Sequence, residues 1–269
     1  MMPMGKTFSA IVLAGDRGPD DPTAKLAGVD CKALVPVAGR AMVLRVLDAL
    51  DNSASIGAKV VCGSSARLLA GAPELAKRIA AGNIRWIENE PSPSQSALAA
   101  LKTLRPGQSV LLTTADHVLL TPQMVDHFCR RAAETGADVV AGLARAERVT
   151  TAFPENRRTI TRLRDASYCG CNLFAFLTPR GRRAAEFWRR VEKQRKHPLR
   201  IVKVLGLTAI FRYLTGRLTL AEGLTRISTL MGAHAGVVWM PDPEAAVDVD
   251  KIEDWTLAEQ ILTARQDES

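Results

Sequence analysis

The sequence predicts an α/β fold in which a Rossmann-like, mostly parallel mixed sheet is flanked by helices and carries a helical insertion. Through the first two-thirds of the chain, short apolar runs bounded by turn residues alternate with helical patterns. Alternation at this spacing favours βαβ crossovers, which place successive strands parallel in one sheet. After Gly142 the rhythm changes, and the stretch from Pro179 to about Met231 is almost wholly helical. We therefore expect one domain over residues 1–269, with a basic helical insertion at about 179–232.

The elements before Gly142 follow from these periodicities. The predicted strands are Ser9–Leu13, Lys59–Cys62, Ile84–Ile87, Ser109–Thr114 and Ala137–Ala141. The predicted helices are Ala41–Leu50, Arg67–Ala81, Ser94–Leu104 and Thr121–Thr135. Beyond Gly142, Arg157–Arg164 and Tyr168–Phe176 are compatible with an antiparallel pair added to the sheet. Short strands near Gly236–Met240 and Ala246–Val249 then precede a final helix from about Ile252 to Ala264.

The composition is that of an ordinary globular protein, with 47% hydrophobic and 24% charged residues among 269. An apolar run of about 18 residues, which a transmembrane helix needs, is missing from the sequence. The N-terminal residues lead into a strand pattern without a signal-peptide cleavage region. Five cysteines form no Cys-x-x-Cys pair, so free thiols in a reducing compartment are expected. These observations predict a cytoplasmic protein.

The net charge of +8 is concentrated in one segment. Residues 180–212 contain eleven Lys or Arg and two Glu, a net charge of +9, so the remainder of the chain sums to −1. This pattern favours a local anionic partner over a nucleic-acid-coating surface. Two interpretations stay open: a core-covering helix with a solvated basic face, or a surface for anionic lipid headgroups or a phosphorylated, lipid-linked acceptor. The second would place the protein at the inner face of the membrane.

A loop rich in small and charged residues follows the first predicted strand. The chain reads Ile-Val-Leu-Ala-Gly-Asp-Arg-Gly over residues 11–18, and Cys-Lys-Ala-Leu-Val-Pro-Val-Ala-Gly-Arg over residues 31–40. Such a loop can place backbone N–H groups and cations around a polyphosphate. Neither a Walker P-loop nor a dinucleotide-binding glycine motif occurs here.

Asp116 lies just after the strand predicted at 109–114. The carboxyl ends of strands in open parallel sheets are where ligands bind, and a carboxylate there suits Mg²⁺, which shares oxygen ligands with substrate phosphates. The alternative is an aspartate that caps the next helix. Asp248 and Asp250 form a second acidic pair, which shares one face if the segment is extended. Glu253 and Asp254 then fall in the first turn of the last helix, where negative charge suits the macrodipole.

Together these motifs resemble the MobA-like nucleotidyltransferase family, which has the glycosyltransferase-A type of nucleotide-diphospho-sugar transferase fold. The resemblance rests on the Leu-Ala-Gly loop with Lys32, on Asp116 after a strand, and on Val-Asp-Val-Asp at 247–250. It covers roughly residues 8–178 and 233–262. Asp16 stands where the family has a second glycine, and Lys251-Ile252 stands where it has Thr-Pro.

The resemblance implies a role for each matching residue. Lys32, Arg17 and Asp116 would be catalytic, and Asp116 and Asp250 would hold Mg²⁺, or Mn²⁺ in its place. Asn172 and Asp248 would lie on the acceptor side. The nucleotide would contact Leu13, Ala14, Gly15, Asp16, Arg17, Lys32, Ser65 and Ser96. For Ser96 the default from the sequence alone is a helix N-cap.

The implied activity is Mg²⁺-dependent transfer of a nucleoside monophosphate from a nucleoside triphosphate to a phosphorylated or hydroxyl-bearing small molecule, with release of pyrophosphate. Nucleic acid is not an expected partner. Two alternatives remain open. A glycosyltransferase on the same fold would use a nucleotide sugar, and a non-catalytic nucleotide-binding module is suggested by Asp16 in place of glycine.

Overall fold

The computed structural model describes residues 8–15, 21–156, 158–194 and 207–267. Its main sheet has the strand order β10-β7-β9-β6-β1-β4-β5, and β8 pairs with β9 outside this path. The strands are β1 Phe8–Ala14, β2 Pro36–Val37, β3 Arg40–Ala41, β4 Ile56–Gly63, β5 Ile84–Glu88, β6 Ser109–Thr114, β7 Val139–Arg145, β8 Thr161–Arg162, β9 Ser167–Phe176 and β10 Ala235–Trp239. Short β2 and β3 form a separate hairpin.

Helices cover both faces of the main sheet. They are α1 Pro22–Ala27, α2 Met42–Asp51, α3 Pro73–Ala80, α4 Pro93–Lys102, α5 Pro122–Glu134, α6 Ala146–Ala152, α7 Arg183–Gln194, α8 Leu207–Leu214, α9 Leu220–Met231 and α10 Ile252–Asp267. No described helix is both long enough and apolar enough to cross a bilayer.

Strand β1 lies at the centre and is buried along its whole length. Its side chains alternate between two cores: Ala10 and Val12 pack with α2 and α5, and Ile11 and Leu13 pack with α4. Burial on both faces explains why β1 reads as a continuous apolar run, as strands inside parallel sheets do. The neighbours β6 and β4 are parallel to it. The mostly parallel sheet flanked by helices is therefore confirmed.

Strands β8 and β9 form an antiparallel pair in the main sheet, as expected, and β9 is an inner strand of that sheet. It lies between β6 and β7 and runs antiparallel to both. Its register with β7 shifts between Ala141 and Leu143, and Asn172 at this bulge has a φ of 48°. Asparagine tolerates the left-handed region better than most residues, which suits Asn172 to this position in the bulge.

Two sequence predictions need correction. A strand at Ala246–Val249 is wrong: a 3₁₀ helix occupies Pro243–Ala246, and the next residues are extended without joining the sheet. A single helix at Arg67–Ala81 is also wrong, because a π-helical turn at Ser65–Leu69 is followed by α3, which begins at Pro73. Proline lacks the N–H that a helix interior needs, so a new helix starts there.

Three helices, α7, α8 and α9, lie in the stretch predicted to be helical, and residues 195–206 of that stretch lie outside the described residues. Helices α1 and α6, which have six and seven residues, were not predicted from the sequence. Helices this short show fewer than two full periods of a hydrophobic pattern.

Candidate active site

The site lies at the carboxyl edge of the two central parallel strands. Leu13 of β1 pairs with Thr114 of β6, and the Ala115 N–H donates to Leu13 O at 3.0 Å. This register places the exposed Gly15 and the carboxylate of Asp116 at the same edge. Asp116 does not cap the following helix, because Thr121 fills that role by accepting a hydrogen bond from Met124 N. The carboxylate is therefore free for another function.

Lys32 joins two acidic residues that are far apart in the chain. Its Nζ donates to Asp116 Oδ2 at 2.7 Å and to Asp250 Oδ1 at 2.9 Å. A 3₁₀ turn at Lys32–Leu34, placed by α1 and the β2–β3 hairpin, directs the side chain inward, where it is 9% exposed. Burial alone would lower the pKa of Lys32, but the charges and hydrogen bonds of Asp116 and Asp250 raise it above its ordinary value. The ammonium therefore stays charged.

A backbone contact brings the second acidic segment to this edge. The Val249 N–H donates to Asp116 O at 3.0 Å, which aligns residues 248–250 beside the end of β6. Asp250 then faces Lys32, and Asp248 lies deeper. The pKa of Asp248 is raised to about 6. Burial is the larger cause, and the neighbouring negative charges of Asp116 and Asp250 add to it.

Asp248 is held by two residues of the neighbouring elements. Arg158 Nη1 donates to both its backbone oxygen, at 2.9 Å, and its Oδ1, at 2.7 Å. Asn172 Nδ2, from the bulge in β9, donates to its Oδ2 at 2.8 Å. Asn172 and Asp248 were paired on the acceptor side by the family resemblance, and they are in direct contact here. Their role in binding an acceptor stays a prediction.

Arg158 also reaches Asp254 at the start of α10. Arg158 Nη2 lies 3.0 Å from Asp254 Oδ1, and both side chains are less than 10% exposed. The same carboxylate accepts the backbone N–H groups of Asp250 and Lys251 at 3.0 Å each, and Asn156 adds a further bond. Glu253 and Asp254 lie in the first turn of α10, as the sequence predicted, and Asp254 also fixes the backbone of Asp250.

Sequence reasoning missed Arg158, Asn156 and the structural importance of Asp254. Arg158 lies in a polar loop without a recognisable motif, and its partners are 90 and 96 residues further along the chain. No local pattern could have identified it. His117 is fully buried beside Asp116, and burial lowers its pKa to about 4, so it is a neutral core histidine.

The residues expected to bind nucleotide are found in several places. Leu13, Ala14 and Gly15 lead out of β1 into the edge described above, whereas Asp16 and Arg17 lie outside the described residues. Ser65 donates its backbone N–H to Glu88 Oε2. Ser96 is buried, and its Oγ accepts the Glu90 N–H at 2.9 Å. The expectation that Ser96 is a helix N-cap is wrong, because Ser92 occupies that position. Ser96 instead stabilises the turn before α4, and a direct contact of either serine with nucleotide stays a prediction.

The carboxylates fit a hard divalent cation. Asp116 Oδ1 is buried and receives no hydrogen bond from any described residue, so it is an oxygen ligand without a partner. Among the residues that the structure describes, no group of three or more acidic, histidine or cysteine side chains forms a complete metal cage. Two carboxylates with open positions are what Mg²⁺ uses when substrate phosphates supply further ligands. Asp116 and Asp250 would hold it there.

The mostly parallel sheet with one inserted antiparallel strand therefore carries an acidic, lysine-bridged cluster at its carboxyl edge, an arrangement of the α/β class that binds ligands at this edge. Residues 10–229 match the model of the MobA-like NTP transferase domain, and the chain belongs to that family. The matched range runs through most of the segment 179–232 and ends before Asp248 and Asp250.

Two solved structures are similar to this chain. A hypothetical transferase from Thermus thermophilus is 33% identical, with a TM-score of 0.77 over 92% of this chain and 99% of that one. The 4-diphosphocytidyl-2C-methyl-D-erythritol synthase of Anaerococcus prevotii is 14% identical, with a TM-score of 0.55 over 96% of this chain and 97% of that one. The second likeness is one of fold alone. A comparison with curated proteins gives no significant match.

Proposed function

We propose that this protein transfers a nucleoside monophosphate from a nucleoside triphosphate to a phosphorylated or hydroxyl-bearing small molecule, and that it requires Mg²⁺. The observation that carries the proposal is the convergence of Asp116 and Asp250 on Lys32, next to the loop that follows β1. Family membership supports the nucleoside triphosphate as donor. The acceptor and the residue roles are inferred from the chemistry of the site.

The reaction is an in-line substitution at the α-phosphorus. An acceptor oxygen forms a new P–O bond while the bond to the β-phosphate oxygen breaks, and pyrophosphate leaves with that electron pair. A hydroxyl acceptor also loses its proton to water, whereas an ionised phosphate acceptor has none to lose. When bound, Mg²⁺ supplies charge neutralisation at the phosphate oxygens. Lys32 stabilises the negative charge that develops in the transfer, because its ammonium is buried and stays protonated. From its place in the sequence, Arg17 has the same role on the leaving side.

Lys32 also has a second task before substrate binds. Three carboxylates at positions 116, 248 and 250 would repel one another in a partly buried site. The ammonium of Lys32 and the guanidinium of Arg158 offset that repulsion and keep the acidic segment close to β6. The site is therefore assembled in the absence of ligand, which lowers the cost of ordering it when the triphosphate binds.

The test is direct. The purified protein is incubated with Mg²⁺, each of the four nucleoside triphosphates, and a panel of sugar phosphates, polyol phosphates and alkyl phosphates, and pyrophosphate release is measured together with transfer of an α-³²P label. The expected result is label transfer that matches pyrophosphate release for one nucleotide. Release of a nucleoside diphosphate from a nucleotide sugar, without pyrophosphate from any triphosphate, would identify a glycosyltransferase instead. Tight triphosphate binding without turnover across the panel would favour a non-catalytic module.

A further inference from the structure

The helix α9 covers an apolar cleft that the nucleotidyl-transfer site does not use. Two cavities of about 310 and 370 Å³ lie beneath it. Leu224 and Ile227 line both cavities, so the two are neighbours along the helix. Each volume is in the range of small-molecule sites, which are concave and mostly apolar.

The roof of this cleft is an apolar stripe that is only partly buried, with Leu224 and Met231 packed against the core that Ile11 and Leu13 share with α4. Leu220, Gly223, Leu224, Ile227 and Met231 recur at the spacing of one helix face, yet Met231 is the only buried residue among them. Ile227 is 36% exposed. A helix face of this kind normally packs directly on a core, because each buried aliphatic side chain contributes about 1.5–3 kcal/mol. Here the described part of the chain leaves a gap below it.

The helix is nevertheless fixed at both ends. At its start, Leu220 N donates to the carboxylate of Asp165 in the β8–β9 turn, and a capping box joins Thr219 and Glu222. Near its end, Ser228 Oγ accepts the N–H of Ala235, the first residue of β10. The gap between these attachments is therefore a feature of the fold, since the roof is attached to the sheet on either side of it.

The floor of the cleft is the strand that carries the acceptor-side residue. Tyr168 of β9 lines one cavity, and Phe174 and Phe176 line the other. Asn172, which donates to Asp248, lies between them on the same strand. Gly170 is exposed, and a Cβ there would meet no atom within 4 Å. Strand β9 therefore joins residues that line the apolar cleft to Asn172, which contacts the Asp248 carboxylate, within a few positions.

We propose that this cleft binds the alkyl chain of the acceptor, so that the acceptor is an amphiphile with a phosphate or hydroxyl head. The inference rests on the proposed function, which places that head beside Asn172 and Asp248. A small polar acceptor would need no apolar space of this size next to its site. Arg226 also lines the cleft.

Binding of alkyl phosphates measured by calorimetry tests the inference. Butyl, hexyl and octyl phosphate are titrated below their micelle concentrations, with Mg²⁺ and the preferred nucleoside triphosphate present. The expected affinity rises by about fourfold per added CH₂ as the chain enters the cleft. Equal affinities for butyl and octyl phosphate overturn the inference, and that result is also expected if the cleft is filled by this chain itself.

Two substitutions locate the binding in the cleft. Leu224→Trp fills the shared part of the two cavities and is expected to abolish the dependence on chain length. Thr225→Trp, on the exposed side of the same helix, is the matched control and is expected to leave it unchanged. Leu224→Ala enlarges the cleft and shifts the preference to longer chains, which keeps the test decisive if the tryptophan variant does not fold. Chain-length dependence that survives Leu224→Trp in a folded protein overturns the inference.

The assay also separates this inference from the proposed function. Nucleoside triphosphate binding and pyrophosphate release without chain-length dependence would leave the transferase activity standing and the cleft unassigned. Alkyl phosphate binding that depends on chain length, without pyrophosphate release, would support the cleft as the binding site and contradict the proposed transferase activity. Cosedimentation with phosphatidylcholine vesicles containing phosphatidic acid distinguishes two sources of the chain. Cosedimentation that is lost in Leu224→Trp indicates an acceptor within a bilayer, and binding of the dispersed probes alone indicates a water-borne amphiphile.

Discussion

Lys32 Nζ and Asp250 Oδ1 lie 2.9 Å apart although 218 residues separate them in the sequence. The contact closes the site, because Lys32 also holds Asp116. Cation and carboxylates are therefore one electrostatic unit, in which a change at one residue alters the charge balance of the others. The following predictions depend on that unit and on the elements that position it.

Asp116→Ala is expected to reduce nucleotidyl transfer by at least about 100-fold, because it removes the carboxylate that faces both Lys32 and the proposed cation. The fold should persist, since the side chain anchors no helix. Turnover is measured after EDTA treatment and Mg²⁺ readdition, with circular dichroism as the check on folding. Asp267→Asn, at the exposed end of α10, serves as the control. Wild-type turnover in Asp116→Ala would show that the metal assignment is wrong.

Lys32→Met is expected to lower the free energy of unfolding by about 1–3 kcal/mol in the absence of divalent cation, because the carboxylates lose their shared counter-charge. Mg²⁺ should then raise the melting temperature more in the variant than in the parent protein, since a cation can replace the missing ammonium. Thermal unfolding across a Mg²⁺ titration measures both effects. Identical Mg²⁺ responses of the two proteins would contradict the idea that ammonium and metal act on the same carboxylates.

Arg158→Gln is expected to weaken the acidic segment without touching the nucleotide loop. Its guanidinium is 8% exposed and serves both Asp248 and Asp254, so its loss should cost about 3 kcal/mol of unfolding free energy. The KM for the acceptor should rise while triphosphate binding changes little. Arg158→Lys keeps the charge but not the two-pronged geometry and should give an intermediate effect.

Arg148 offers a matched control for that variant, because it is exposed and bonds to the backbone oxygen of Pro241. Arg148→Gln should change neither stability nor acceptor KM by a measurable amount. If Arg158→Gln behaves in the same way, then Arg158 does not position the acidic segment.

The free energy of unfolding is expected to depend on pH through Asp126, which lies in α5 and is not part of the active site. Burial alone would raise its pKa, but hydrogen bonds from Ser53, Ser55 and Ala54 hold the pKa below its ordinary value of 3.8. The folded state therefore binds this proton less tightly than the unfolded state. The resulting stability is complete above about pH 4 and is lost as pH falls through the lower, folded pKa.

Asp126→Asn should accordingly lower the free energy of unfolding by about 1–2 kcal/mol at pH 7, and the difference from the parent should shrink at acid pH. Urea unfolding at pH 7 and at pH 3 measures this. A stability difference that is the same at both pH values would show that ionisation of Asp126 does not contribute.

The central part of the fold could be predicted from the sequence because its signals are local. Strand β1 is a continuous apolar run, and α5 begins with a threonine cap and a proline. Asp116 could be placed at the sheet edge from its position after β6 alone. The conformation of residues 246–249 could not, because apolar residues at that spacing suit a strand equally well. The backbone there is held by Asp116 and Arg158 instead of by a neighbouring strand.

Sequence alone determined the class of fold, the family resemblance and the identity of the acidic and basic residues, since each depends on short-range periodicity or on motifs within a few residues. Only the tertiary structure decided which charges meet. It placed Lys32 between Asp116 and Asp250, supplied Arg158 as the partner of Asp248, and left an apolar cleft beneath α9. Ion pairs between residues 84 to 218 positions apart depend on how the chain folds in space, and no local pattern records that.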